Sequence, residues 1–129
     1  MADGHAMRIL VVDDQRAMRT LIRSTLFALH CSNIVECGDG EEALSELSVG
    51  HFDLVISDLN MPNLDGLGLL RAVRSNPDFG RLPFIMLTSR GESALVKQAI
   101  DLGVNNYVIK PFNLVTLKSK IESVMGPLA

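Results

Sequence analysis

The 129 residues, 47% of them hydrophobic, suit one globular domain able to bury most of its surface without disulfides or a structural metal. A formal net charge of −3 offers no basic face to a phosphate backbone, so nucleic acid is not an expected partner. No apolar run approaches the ~20 residues that span a bilayer, and residues 1–6 (Met-Ala-Asp-Gly-His-Ala) lack the regions of a signal peptide, so a cytoplasmic chain without membrane insertion is expected. Those six, ahead of a second Met at position 7, are either native or a cloning remnant.

Met7-Arg8-Ile9-Leu10-Val11-Val12 reads as a compact strand that ends in two acids, Asp13 and Asp14. From Gln15 to about His30, Met18, Leu21, Ile22, Leu26 and Leu29 recur at three- and four-residue spacings, which is one face of a helix. Arg16, Arg19 and Arg23 fall largely off that face, either as a partner surface or, on the plainer reading, as solvated charges offsetting nearby acids. Cys31 and Cys37 match no usual zinc spacing and are expected to be reduced, partly buried thiols; His5 and His51 read as solvated loop residues. Asn33–Cys37 is a short second strand, and Asp39-Gly40-Glu41-Glu42 has the form of a capping box opening a helix through about Val49, stopped by Gly50.

Leu54-Val55-Ile56 is too short for a free-standing helix and rich in β-branched residues, so it reads as a buried strand that delivers Asp58 at its end. A turn-rich loop with Pro62-Asn63 and Asp65-Gly66 follows, before Leu67, Leu70 and Val73 resume helical spacing to about Ser75. Pro83–Leu87 is another buried strand, ending in Thr88-Ser89, and about Glu92 to Leu102 forms a helix with Leu95, Ala99 and Leu102 inward, closed by Gly103. Tyr107-Val108-Ile109 is the last strand, followed by Lys110-Pro111. The final helix is capped by Asn113, buries Leu114, Leu117, Ile121 and Val124, and stops at Gly126-Pro127.

Five strand–helix units in strict alternation call for an α/β fold: a doubly wound, five-stranded parallel sheet of flavodoxin-like (βα)5 type with strand order 2-1-3-4-5. One domain over 1–129, with its core in 7–125, is expected, since no repeat, linker or low-complexity segment interrupts the pattern. In that order the first and third strands are neighbours. Asp13, Asp14 and Asp58 then meet outside the carboxyl ends of the strands, with Thr88 and Lys110 arriving from the next two.

Three carboxylates in one crevice repel, each pair ~4 Å apart costing on the order of 4 kcal/mol at an effective dielectric of about 20. Lys110 supplies one positive charge and a divalent ion would supply two more, reaching formal neutrality. Oxygen ligation by few protein groups suits Mg2+, which retains waters and bridges to phosphate. Asp58, the acid without an adjacent twin, is the candidate nucleophile for aspartyl-phosphate chemistry, with Lys110 and the Thr88 hydroxyl as charge-stabilising partners.

Asp13-Asp14, Asp58, Thr88 and Lys110-Pro111 reproduce in order and spacing the signature of receiver domains of two-component response regulators, over residues 7–125. Asn60-Met61-Pro62-Asn63-Leu64-Asp65-Gly66-Leu67 and Tyr107-Val108-Ile109-Lys110-Pro111-Phe112 most resemble the single-domain chemotaxis regulators of CheY type. The resemblance implies that Asp58 is the phosphoacceptor, that Asp13, Asp14, Asp58 and the main-chain carbonyl of Asn60 hold Mg2+, and that Thr88, Ser89 and Lys110 contact the phosphoryl group. It also implies a cis Lys110–Pro111 bond and a switch involving Thr88 and Tyr107, although an edge-strand tyrosine that merely covers the sheet is the plainer reading of Tyr107.

The implied partners are a sensor histidine kinase or histidine phosphotransfer protein upstream and a separate target protein downstream, such as the flagellar motor switch, with the chain acting as a monomer. Other receiver roles stay open at this point: a phosphorelay or cell-cycle single-domain regulator, or the excised receiver of a larger protein. Arg90, two residues after Thr88, departs from the acid of the chemotaxis prototype, so the resemblance does not set the lifetime of the phosphoryl group. An aspartate-nucleophile phosphatase would need a second Asp where Asn60 stands. A flavin or nucleotide module would need a glycine-rich loop where Asp13-Asp14 stands. The chain is therefore read as a signalling domain and not an enzyme.

Overall fold

The computed structural model describes residues 6–128, so residues 1–5, His5 among them, lie outside the described residues. Five strands and five helices alternate: β1 (Arg8–Val12), α1 (Arg16–Ala28), β2 (Asn33–Cys37), α2 (Gly40–Val49), β3 (Leu54–Asp58), α3 (Gly66–Ser75), β4 (Phe84–Thr88), α4 (Ser93–Asp101), β5 (Asn106–Ile109) and α5 (Leu114–Met125). All strands are parallel, in the order β2-β1-β3-β4-β5 expected of the flavodoxin-like arrangement.

The central strands have near-continuous apolar sequences because helices cover both of their faces. Every residue of β3 and β4 is buried, whereas the edge strands β2 and β5 are mostly half-exposed. The period-two alternation of a strand sorts side chains between two cores. Leu10, Val12, Val55, Phe84 and Met86 meet α2, α3 and Ala99 of α4 on one face; Ile9, Val11, Ile56, Ile85, Leu87 and Val108 meet α1 and α5 on the other. Each fully buried aliphatic chain of this kind contributes about 1.5–3 kcal/mol relative to exposure.

Helix starts follow the sequence closely. Asp39, Asp65 and Asn113 each accept a hydrogen bond from the backbone N–H three residues on, at 2.8 Å. The expected capping box is altered in one respect, since Glu42 accepts from the N–H of Gly38, one residue before the cap. Gly66 has to be a glycine here: a methyl at its Cα would collide with the Asp58 carbonyl and lie 2.8 Å from Met86 Sδ and 2.9 Å from the Leu59 Cα. This close approach sets the first turn of α3 directly against the end of β3.

Three expected core residues face outward. Leu21 is 47% exposed on α1, Leu95 36% on α4 and Leu114 40% on α5. Leu21 lies beside the buried Ile22–Thr25–Leu26 strip of α1, whereas Leu95 and Leu114 sit in the first turns of α4 and α5. Cys31 and Cys37 are free thiols buried in opposite cores, more deeply than expected, and burial raises both, Cys37 to about 12. His51 is exposed, with Nε2 3.2 Å from Asp53 Oδ1. Arg19 and Arg23 both reach Glu36, at 3.4 and 2.9 Å, which favours the charge-offsetting reading of that face.

Candidate functional site

The parallel register brings the strand ends to one level. Val12 pairs with Ser57, Asp58 with Leu87 and Thr88 with Ile109, so Asp13, Asp58, Thr88 and Lys110 emerge along one rim of the sheet. Burial differs among the acids: Asp13 is enclosed, Asp58 nearly so, and Asp14 is exposed. Their carboxylate oxygens include a set lying within 4.8 Å of one another. Lys110 Nζ lies 3.0 Å from Asp58 Oδ1 and 3.4 Å from Asp13 Oδ2.

Backbone donors hold the acids in place. The Gln15 N–H donates to Asp13 Oδ1 and the Leu59 N–H to Asp58 Oδ1, both at 2.9 Å, while Arg19 Nη1 donates to the Asp13 carbonyl at 2.6 Å. Burial pushes the Asp58 carboxyl above its ordinary value, overcoming the pull of Lys110, with the Asp13 charge adding to the rise. Burial works against the Lys110 ammonium too, yet the Asp58 and Asp13 carboxylates hold it above an ordinary lysine. One lysine therefore does not neutralise this rim. A compact, oxygen-only donor set with excess negative charge fits a hard divalent cation such as Mg2+.

A crevice of about 620 Å³ opens over these groups, lined by Asp14, Asp58, Asn60, Ser89, Glu92 and Lys110 among others. A larger cleft of about 980 Å³ lies at the opposite rim, between the α2–β3 and α3–β4 connections. Size does not select between them; the converging charges do.

Thr88 is buried at the end of β4, and its hydroxyl lies 3.2 Å from Glu92 Oε1 and 3.3 Å from the Ser89 carbonyl. Ser89 is exposed, and its N–H donates to the same Glu92 oxygen at 2.5 Å. The sequence pattern places Glu92 only at a helix start; a carboxylate four residues after a strand-end threonine is the one local signal for this contact. Asn60 is exposed on the crevice wall. Tyr107 does not join this group: half-buried on β5, it packs against the α2–α3–α4 side of the core, and Lys120 Nζ stands 5.5 Å from its ring centroid. The Lys110–Pro111 bond is cis.

A parallel sheet of order 2-1-3-4-5 carrying three acids and a lysine on its carboxyl rim defines a class, and the family model of the response regulator receiver domain matches residues 9–122. The chain belongs to the response regulator receiver domain family. Within it, the chain is 42% identical over 128 residues to the probable chemotaxis protein CheY of Rhizobium etli, covering 99% of each chain. It is 42% identical over 121 residues to the chemotaxis protein CheY1 of Helicobacter pylori, covering 93% of this chain and 98% of that one.

Among solved structures, the chemotaxis response regulator CheY4 of Vibrio cholerae superimposes with a TM-score of 0.84 at 30% identity, over 92% of this chain and 98% of that one. The receiver domain of a sensor histidine kinase from Pseudomonas aeruginosa, solved with a magnesium ion coordinated in its active-site cleft, gives a TM-score of 0.84 at 27% identity, over 93% and 98%.

Proposed function

We propose that this chain is a phosphorylation-activated switch of chemotaxis type, a single receiver domain in which Asp58 takes a phosphoryl group from a histidine kinase or phosphotransfer protein. The observation that carries the reading is Asp58 itself: a buried carboxylate held 3.0 Å from Lys110 at the floor of an open crevice, with Asp13 and Asp14 beside it. Asp58 attacks the phosphorus of a phosphohistidine, a P–O bond forms as the P–N bond breaks, and the departing imidazole takes a proton. The product is an acyl phosphate. Positioning and charge neutralisation dominate such transfers.

Asp13, Asp14, Asp58 and the Asn60 main-chain carbonyl would hold Mg2+, which supplies positive charge against the acids and the incoming phosphoryl oxygens. Lys110 provides a fixed charge on the other side. Thr88 and Ser89 donate to the phosphoryl oxygens once the group arrives. Replacing a carboxylate of charge −1 by a group of about −2 then favours one arrangement of the β4–α4 loop, α4 and β5, with Tyr107 reporting the change. A target protein that distinguishes the two arrangements changes its affinity, typically by about 5–150-fold.

Chemotaxis names among the relatives favour the flagellar motor switch as that target and a cytoplasmic setting. Among the described residues no helix is long and apolar enough to cross a membrane. Acetyl phosphate with Mg2+ is expected to raise the intact mass by one phosphoryl group, and Asp58→Asn to abolish the gain. An undiminished mass shift in that variant would reject Asp58 as the acceptor.

A further inference from the structure

Glu92 stands at the junction between β4 and α4, half-buried and lining the same crevice as Asp58 and Lys110. Its Oε1 receives the Thr88 hydroxyl at 3.2 Å and the Ser89 N–H at 2.5 Å. These are two of the donors that the proposed function assigns to phosphoryl oxygens. A hydroxyl has one proton, and a charged carboxylate is a stronger acceptor than the Ser89 carbonyl 3.3 Å away, so the Thr88 proton is committed to Glu92. The Glu92 side chain forms no cap to α4 in this arrangement.

We infer that Glu92 is a built-in competitor of the phosphoryl group: an internal anion that occupies the Thr88 and Ser89 donors at rest and must leave them when Asp58 is phosphorylated. This deepens the phosphoacceptor reading and rests on it. Two effects act in the same direction. The arriving group bids for both donors, and its charge of about −2 in a partly desolvated crevice repels the Glu92 carboxylate. Because Glu92 is the residue immediately before α4, its release passes directly to the first turn of that helix. The resting state is thus held by a specific contact, and the threshold for activation is set by a positioning residue outside the acid cluster and the lysine.

The test is titration with beryllofluoride and Mg2+, followed by the backbone amide resonances of Thr88 and Ser89, in wild type, Glu92→Ala and Glu92→Gln. Loss of a charged acceptor for two donors is expected to lower the half-saturating beryllofluoride concentration about tenfold in Glu92→Ala. Glu92→Gln keeps the shape with a weaker, neutral acceptor and is expected to lower it about threefold. This variant carries the test if Glu92→Ala fails to fold. A Glu92 needed only to start α4 would give the opposite sign, since loosening the helix weakens binding. If wild type binds and neither variant binds more tightly, the competitor role is overturned while Asp58 stands. A wild type that takes neither beryllofluoride nor acetyl phosphate overturns both.

Discussion

The two rims of the sheet handle charge in opposite ways. At the amino rim Arg74 of α3 donates to the carbonyls of Leu82, Gly80 and Gly103 at 2.7, 3.2 and 3.0 Å and to Asn105 Oδ1 at 3.0 Å. Asn105 Oδ1 in turn accepts from the Phe84 N–H at 2.8 Å. One planar guanidinium thereby ties α3 to the connections that lead into β4 and β5, with its donors used by the chain itself. At the carboxyl rim three acids face one lysine, and the hydroxyl that ends β4 and the amide that follows it are held by a side chain only three to four residues away. A rim whose polar groups satisfy one another is a fastener. A rim with surplus charge is a place for something to bind.

The largest break in that contrast should come at the amino rim. Arg74→Ala leaves several loop carbonyls without their donor and is expected to cost about 2–4 kcal/mol in urea denaturation, with Arg74→Lys restoring less than half because a point charge cannot span the same acceptors. The folded fraction should still take a phosphoryl group from acetyl phosphate; loss of labelling in folded Arg74→Ala would show that the two rims are not independent.

Metal probes the other rim. Mg2+ at a hundred times its dissociation constant is expected to stabilise the chain by ~2.7 kcal/mol, equally in wild type and Arg74→Ala, and to lose this effect in Asp14→Asn. An equal gain in Asp14→Asn would place the cation elsewhere.

The smallest effect concerns pH in metal-free protein. Burial holds the Asp58 carboxyl above the 3.8 of a free aspartyl group, so the folded chain keeps this proton more tightly than the unfolded chain. Stability is therefore lost as pH rises from 3.8 through the raised folded value, and the loss is complete above it. Asp58→Asn should resist urea slightly better than wild type at neutral pH, with the advantage vanishing below that window. An advantage that instead grew on acidification would show that Asp58 contributes more through Lys110 than it loses by burial.

Much of this molecule is legible in one dimension because the central strands of a parallel sheet are apolar on both faces. Leu54-Val55-Ile56 and Phe84-Ile85-Met86-Leu87 announce themselves, and whatever polar residue ends them must lie at the rim. Asp58, Thr88 and Lys110 could be found that way, and Asp13 and Asp14 likewise. The helices were less legible at their margins. Leu21, Leu95 and Leu114 continue an apolar spacing, but whether such a residue is covered depends on where each helix lies over the sheet and how far its first turn overhangs, which no local pattern encodes.

Strand type, chain order and the residue that closes each strand are local properties, and the sequence by itself determined them: periodicity and β-branching need only near neighbours. Which side chain holds which donor was decided only by tertiary structure. Arg74 reaches carbonyls as far as 29 residues away, and Glu92 folds back onto Thr88 and Ser89 through a turn whose geometry depends on where α4 docks. A hydrogen bond depends on tenths of an ångström, whereas hydrophobic burial depends only on being inside, and so the burial pattern survives in the sequence when the polar contacts do not.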